Sequence, residues 1–254
     1  MDTQQRSRET VAFLDVLQDI PPEIVSACDG WTAHEIVAHL AAAAAEITRH
    51  LEPYLEGRPV PSTRSFEERE PPYRAMDDPS LRRQLDVEEA KARGIVSDVL
   101  GWDSAAVIPW TGRQMVVAKF IPHMRNEFAI HRWDIAGDDQ QSAELLGQHE
   151  LTEHAVTVLG EILVARGTKH DPGAGEDFNA RLRAAGTPDV RLVVESGQAR
   201  LELARDNADE PGVDLDPAAR TLVIWGRCPA ERGRFRSHLA APALARLQAL
   251  LSGY

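Results

Sequence analysis

Cysteine is scarce in this 254-residue chain, which contains only two. Cys28 and Cys228 lie far apart in the sequence, and neither belongs to a Cys-x-x-Cys pair. Two isolated cysteines cannot build a disulfide framework, so a reducing, cytoplasmic environment is the natural expectation. Any thiol used in catalysis is then expected to come from outside the chain.

Basic residues and long apolar runs are also in short supply. Lysine and arginine total 28 against 40 aspartate and glutamate residues, which gives a net charge of -12. This balance argues against binding to a nucleic-acid backbone or to an anionic membrane surface. The alanine run from Ala41 to Ala45 is too short to span a bilayer, and the first residues lack the apolar core of a signal peptide. We expect a soluble protein whose partner is a small molecule.

The length and composition favour two modest folded domains. The hydrophobic content of 43% is that of ordinary globular cores. The first part of the chain reads as four long helices that would form a bundle, with a Pro-rich connection expected to be a crossover or a lid. The predicted helices run up to about Asp19, from Thr32 to about Glu56, from Asp78-Pro79 onward and from about Val116 to Ala136, and the connection runs from Gly57 to Met76.

The second part of the chain changes to strand periodicity. A further helix from Glu144 to about Ala165 leads into a Gly-rich stretch, where we place the domain boundary, giving domains 1–166 and 167–254. The alternating patterns that follow predict a small sheet closed by a helix, and hence an α+β domain. The predicted strands are Val190–Glu195, Ala199–Ala204 and Thr221–Trp225, and the closing helix is Ala241–Leu251.

Three metal-competent side chains lie on the core-facing stripes of two predicted helices. Glu127 and His131 are four residues apart, on the same stripe as Phe128 and neighbouring apolar residues. His39 lies beside Leu40 on the apolar stripe of a helix that Thr32 caps. A carboxylate that faces a core is costly unless it is paired or bound to a cation. His39, Glu127 and His131 are therefore candidate ligands of one metal ion.

The spacing alone leaves open two alternatives to a metal site made of His39, Glu127 and His131. Glu127 and His131 would also suit a simple i,i+4 ion pair, and a single inward histidine is often a hydrogen-bonded core residue. His123, four residues before Glu127, could replace His39 as the third ligand, although its position drifts away from His131 along the helix.

Trp110 lies in the segment that leads to Arg113. We expect its side chain to be buried in the core beneath a loop.

The motif order resembles that of the mycothiol-dependent maleylpyruvate isomerase family. The motifs are Gly30-Trp31-Thr32 leading to Val37-Ala38-His39-Leu40, then Glu127-x3-His131-Arg132-Trp133-Asp134, and finally Trp225-Gly226-Arg227. The resemblance spans nearly the whole chain. It implies a DinB-like four-helix bundle that binds a metal, followed by a small α/β domain similar to sterol carrier proteins.

The resemblance also implies a chemistry and a set of roles. His39, Glu127 and His131 would hold a divalent metal, for which zinc is the expected ion, and mycothiol would be the thiol cosubstrate. Arg227 would reach the pocket from the C-terminal domain and pair with a substrate carboxylate, although a solvated arginine at a strand end is an equally good interpretation.

The implied reaction starts from a thiolate. A sulfur bound at the open position of a three-ligand zinc site is deprotonated at neutral pH. It could add to a small electrophile, for which a carboxylate-bearing substrate is expected, and give either cis/trans isomerisation or thiol S-transfer. The alternative is a metal-free helical bundle whose C-terminal domain binds a ligand, acting as a binding or regulatory protein.

Overall fold

The computed structural model describes residues 5–28, 30–206, 210–228 and 234–252. The chain divides into two compact units, Met1–Gly137 and Asp138–Tyr254. Within the described residues, no helix combines the length and the apolar character that a membrane crossing requires.

The first unit is a helical bundle with one small hairpin. Helix α1 packs on α6, and α2 packs on α5. The long helices predicted from periodicity are thus confirmed, with ends within a few residues of those expected. The elements are α1 (Arg8–Val16), α2 (Ala33–Leu55), α3 (Phe66–Arg69), α4 (Pro71–Arg74), α5 (Asp78–Trp102), β1 (Val107–Trp110), β2 (Arg113–Val116) and α6 (Phe120–Ala136).

Local sequence signals explain where the two central helices begin. Thr32 accepts a hydrogen bond from the backbone N–H of Glu35, and the Glu35 carboxylate accepts one from the backbone N–H of Thr32, which completes a capping box. Asp77 caps α5 in the same way, ahead of a proline in the first turn. These starts fix which residues of α2 and α5 face the core.

The long connection between α2 and α5 is ordered and tied to the bundle. It contains the two short helices α3 and α4. The fully buried carboxylate of Glu46 accepts hydrogen bonds from the side chain of Arg49 and from both the backbone and the side chain of Arg64. The start of the connection is therefore attached to the middle of α2.

The second unit is α+β, as the sequence predicts. Its five-stranded sheet has the order β5-β4-β3-β6-β7, and only the β3–β6 pair is parallel. A π-helical turn joins α8 to α9. The elements are α7 (Gln140–Leu146), α8 (His149–His154), α9 (Gly160–Gly167), β3 (Phe178–Ala184), β4 (Val190–Glu195), β5 (Gln198–Leu203), β6 (Gly212–Leu215), α10 (Pro217–Ile224), β7 (Phe235–Ser237) and α11 (Ala241–Leu251).

The prediction of a strand at Thr221–Trp225 is wrong. This segment belongs to α10 and its C-terminal end, and Asp216 caps the helix by accepting a hydrogen bond from the N–H of Ala219. A short, continuous apolar run has no periodicity that separates a buried strand from a buried helix. The cap decides the outcome, because an aspartate followed by Pro217 starts a helix.

The division between the units differs from the boundary expected at 166/167. It falls between Gly137 and Asp138, because the helices that follow pack within the second unit. Helix α7 packs on α10, and α9 packs on β5 and α11. The single helix expected from Glu144 to about Ala165 is instead broken at Gly147 and Gln148, and from His149 the helical turns continue through α8, the π-helical turn and α9 to Gly167.

Candidate functional site

The structure brings the three predicted ligands together in the core of the bundle. His39 comes from α2, whereas Glu127 and His131 come from consecutive turns of α6. Their exposed fractions are 3%, 4% and 2%. One ligand atom from each residue lies within 4.8 Å of the other two. The three side chains thus form a closed cluster, which we call the triplet.

One carboxylate oxygen faces both imidazoles. Oε2 of Glu127 lies 3.4 Å from Nε2 of His39 and 3.5 Å from Nε2 of His131. This oxygen is buried and has no hydrogen-bond partner. Zinc bonds of about 2.0 to 2.2 Å in a tetrahedron would place neighbouring ligand atoms roughly 3.4 Å apart. The spacing and the unsatisfied oxygen therefore both fit a bound divalent metal.

Each histidine of the triplet also contacts a carboxylate other than that of Glu127, through its Nδ1 atom. Nδ1 of His39 lies 2.7 Å from Oε1 of Glu70, and Nδ1 of His131 lies 2.8 Å from Oδ2 of Asp134. An ionised carboxylate only accepts hydrogen bonds, so Nδ1 carries a proton, and in the neutral ring Nε2 keeps its lone pair. This arrangement orients both rings with their metal-binding nitrogen toward Glu127, as carboxylate–histidine–metal groups do.

Glu70 was not predicted from the sequence. It follows α3 within the long connection, 31 positions after His39, and no periodicity links the two residues. Its other oxygen accepts hydrogen bonds from Arg74, which also contacts Glu35 in the capping box of α2. A network of charged groups thus joins the connection to the start of the helix that carries His39.

The surrounding groups shift the pKa values of Glu127, His131 and Glu70. Burial alone would raise the pKa of Glu127, but the imidazoles of His131 and His39 hold it well below its usual range. Burial lowers the pKa of His131, and its contacts with Asp134 and Glu127 raise it overall. The pKa of Glu70 is also lowered, because His39 and Arg74 outweigh the effect of burial. The carboxylates of Glu127 and Glu70 are therefore ionised at neutral pH.

Aromatic rings enclose the two histidines. Trp31 stacks on His131, with ring centroids 6.4 Å apart and planes 11° apart. The ring of His39 makes edge contacts with Trp31 and Phe66, both with centroids 5.1 Å apart. These rings exclude water from the triplet on their sides and strengthen the electrostatic interactions within it.

His123, the alternative third ligand, lies on the other side of Glu127. Its Nε2 atom is 3.9 Å from Oε1 of Glu127, not from the oxygen that faces the triplet. Burial lowers the pKa of His123. Its ring lies 6.4 Å from that of Trp110, which is buried as the sequence predicts. The assignment of His39 as the third ligand remains a prediction that this geometry favours.

Arg227 lies in the second unit and is buried. It follows the C-terminal end of α10, not the end of a strand, and its guanidinium donates a hydrogen bond to the backbone oxygen of Trp225, 2.8 Å away. Its pairing with a substrate carboxylate remains a prediction.

The fold and the site define a class of protein: a helical bundle with a buried His-Glu-His triplet, joined to an α+β unit. The sequence model described as the mycothiol maleylpyruvate isomerase N-terminal domain matches residues 4–136. The chain therefore belongs to the mycothiol maleylpyruvate isomerase family, and the resemblance seen in its motifs is confirmed.

Two solved structures are similar to the whole chain. A crystal structure of a point mutant of the mycothiol-dependent maleylpyruvate isomerase aligns with a TM-score of 0.64 and 17% identity, covering 91% of this chain and 88% of that one. A crystal structure of the mycothiol-dependent maleylpyruvate isomerase aligns with a TM-score of 0.63 and 16% identity, covering 87% and 86%. At these identities the likeness establishes the α+β fold. A comparison with curated protein sequences found no match.

Proposed function

We propose that this protein is a metal-dependent enzyme that uses mycothiol to isomerise a small, unsaturated, carboxylate-bearing electrophile, as maleylpyruvate isomerase does. The observation that carries the proposal is the triplet, with its buried and unsatisfied Glu127 oxygen. Membership of the family supports mycothiol as the thiol. We also propose a reducing, cytoplasmic location, because two isolated cysteines, Cys28 and Cys228, cannot build a disulfide framework.

The residues of the chain would prepare the site in two ways. His39, Glu127 and His131 would hold the metal, for which zinc is the expected ion, because two imidazoles and one carboxylate form a common catalytic zinc set. Glu70 and Asp134 would keep both imidazoles in the correct tautomer. The metal, when bound, would stabilise the thiolate form of a thiol at neutral pH.

The overall reaction balances without an oxidant or a reductant. The thiolate sulfur adds to one carbon of the conjugated double bond, and the electron pair of that bond moves onto the conjugated carbonyl as an enolate, which leaves a single bond about which the substrate rotates. Elimination of the same sulfur restores the double bond in the trans form and returns the thiol unchanged. S-transfer differs in that the sulfur stays attached to the electrophile and the neighbouring carbon takes up the proton that the thiol released, and the residues of the triplet suit both outcomes.

The test measures turnover and product together. Purified protein loaded with zinc is incubated with mycothiol and maleylpyruvate, and the products are identified by NMR. The proposal predicts a trans product in many-fold excess over a catalytic amount of mycothiol, and its loss in a Glu127→Gln variant. Stoichiometric consumption of mycothiol into an adduct would replace isomerisation by S-transfer. A protein that binds no metal would contradict the enzyme assignment altogether.

A further inference from the structure

The first unit contains a cavity that none of the triplet residues lines. Its volume is about 270 Å³, and its walls come from α1 and the residues just before it, and from α2, α5 and α6. Pockets for drug-sized molecules have volumes of about 300 to 1,000 Å³. The cavity is slightly smaller than these pockets, so its volume suits a small ligand.

One wall of the cavity is apolar. Ile47 of α2 and Phe120 of α6 line the cavity, although each is only 1% exposed, so the cavity reaches into the interior of the bundle. Ala92 and Val96 of α5 and Met124 of α6 belong to the same wall. An apolar cavity accepts apolar groups, because its lining atoms gain dispersion contacts when such a group fills it. This wall therefore favours the hydrocarbon part of a ligand.

The rest of the lining carries charged side chains, and three of its arginines are paired with carboxylates. Two of these carboxylates line the cavity and the third, that of Asp86, lies outside the lining. The nitrogen–oxygen distances of the pairs lie between 2.9 and 3.2 Å. The pairs are Arg125–Glu9, Arg6–Glu89, Arg93–Glu89 and Arg6–Asp86. Three positive charges are thus balanced by three negative charges.

Arg8 adds a positive charge to the lining that no carboxylate balances. It is the first residue of α1, it is exposed, and it makes no hydrogen bond or ion pair with any residue that the structure describes. The cavity therefore has one excess positive charge, in a chain whose net charge is -12. A local positive charge on an acidic protein attracts an anion. The excess of one charge favours a singly charged anion.

We propose that this cavity is a second small-molecule site, which binds a monocarboxylate with a short aliphatic chain. The chain would lie against Ile47, Phe120 and Met124, and the carboxylate would pair with Arg8. A carboxylate matches the single excess charge better than a phosphate monoester, which carries about -1.5 to -2 at neutral pH. The site lies within the first unit and requires neither the metal nor the proposed isomerisation.

The first test is calorimetric titration of octanoate into the zinc-loaded, full-length protein. Ala92→Leu should weaken octanoate binding by roughly tenfold or more, because the added carbons occupy the space of the chain. The matched control is Ala90→Leu, the same change at an exposed position of α5, which should leave the affinity unchanged. Equal octanoate affinity in these two folded variants would overturn the proposal, and so would a wild type that does not bind octanoate.

The charge of the ligand is tested with octanamide, which has the same chain without the carboxylate. Arg8→Gln should weaken octanoate binding roughly two- to fivefold at low salt, because an exposed ion pair is lost, and should leave octanamide binding unchanged. Arg83→Gln, an exposed change on α5 outside the cavity, should alter neither affinity. Octanamide binding as tight as that of octanoate in the wild type would contradict an anionic ligand.

Methyl NMR locates the chain of the ligand even if Ala92→Leu fails to fold. With isotope-labelled methionine methyl groups, octanoate should give a nuclear Overhauser effect to the methyl of Met124, whose signal is identified by its loss in Met124→Leu. Octanoate binding that needs zinc and gives no such effect would place the carboxylate at the triplet and overturn the proposal. Octanoate binding next to Met124 in a protein without isomerase activity would retain this site and reject the proposed function alone.

Discussion

Nδ1 of His39 lies 2.7 Å from Oε1 of Glu70, although 31 positions separate the two residues in the sequence. The contact joins the long connection between α2 and α5 to the ring that we predict to be a metal ligand. Because Glu70 also accepts hydrogen bonds from Arg74, its carboxylate is held from two sides. The order of the connection and the geometry of the triplet are therefore coupled.

This coupling predicts the effect of Glu70→Gln. The variant keeps the size of the side chain but loses the charge that orients His39, so zinc affinity should fall roughly ten- to hundredfold. Competition with a chromophoric chelator measures the affinity directly. Glu67→Gln changes an exposed carboxylate of the same segment and should have no effect. Equal zinc affinity in the two variants would show that Glu70 does not position the ligand.

Asp134→Asn tests the corresponding contact on the other histidine. The carboxylate of Asp134 accepts a hydrogen bond from Nδ1 of His131 over 2.8 Å, and an amide in its place is a weaker acceptor. We expect a loss of zinc affinity of similar size, roughly tenfold or more, in the same competition assay. Asp98→Asn, an exposed change on α5, is the charge-matched control. An unchanged affinity would mean that His131 is oriented by its packing on Trp31 alone.

Zinc should stabilise the folded protein through Glu127. A ligand that binds only the native state at one hundred times its Kd adds about 2.7 kcal/mol to the free energy of unfolding. Thermal unfolding with and without zinc should show this gain in the wild type but not in Glu127→Gln. The zinc-induced shift is compared within each protein, because the imidazoles that lower the pKa of Glu127 also stabilise its ionised form in the metal-free wild type. A similar shift in both proteins would place zinc elsewhere.

The contacts of Glu46 predict a pH dependence of stability. Burial alone would raise the pKa of Glu46, but hydrogen bonds from Arg49 and Arg64 lower it to about 2. A carboxyl group whose pKa is depressed on folding stabilises the protein above its ordinary pKa of 4.5, and this contribution is lost as the pH falls toward 2. Glu46→Gln should therefore cost up to about 3 kcal/mol at pH 7, and this difference should shrink steadily below pH 4.5.

Urea unfolding at several pH values measures that difference. Glu52→Gln, an exposed change on the same helix, is the control and should cost little at any pH. A cost of Glu46→Gln that is the same at pH 7 and pH 3 would contradict the assigned pKa shift and point to packing as its origin.

Short-range signals in the sequence predicted the bundle and the triplet well. The capping box of Thr32 and Glu35 fixes the register of α2, and the four-residue spacing of Glu127 and His131 fixes their shared face on α6. Residues that meet only through tertiary structure were missed. Glu70 lies in a connection with no helical or strand period, and the apolar run of α10 is compatible with either kind of element.

The most direct test of the account is the metal content of the purified protein, measured by elemental analysis on samples matched by circular dichroism. We predict about one zinc ion per chain in the wild type, its loss in the triple variant His39→Ala, Glu127→Ala, His131→Ala, and its retention in His123→Ala. Loss of zinc in His123→Ala with retention in His39→Ala would replace the third ligand. No metal in the wild type, even after reconstitution with zinc, would contradict the central claim.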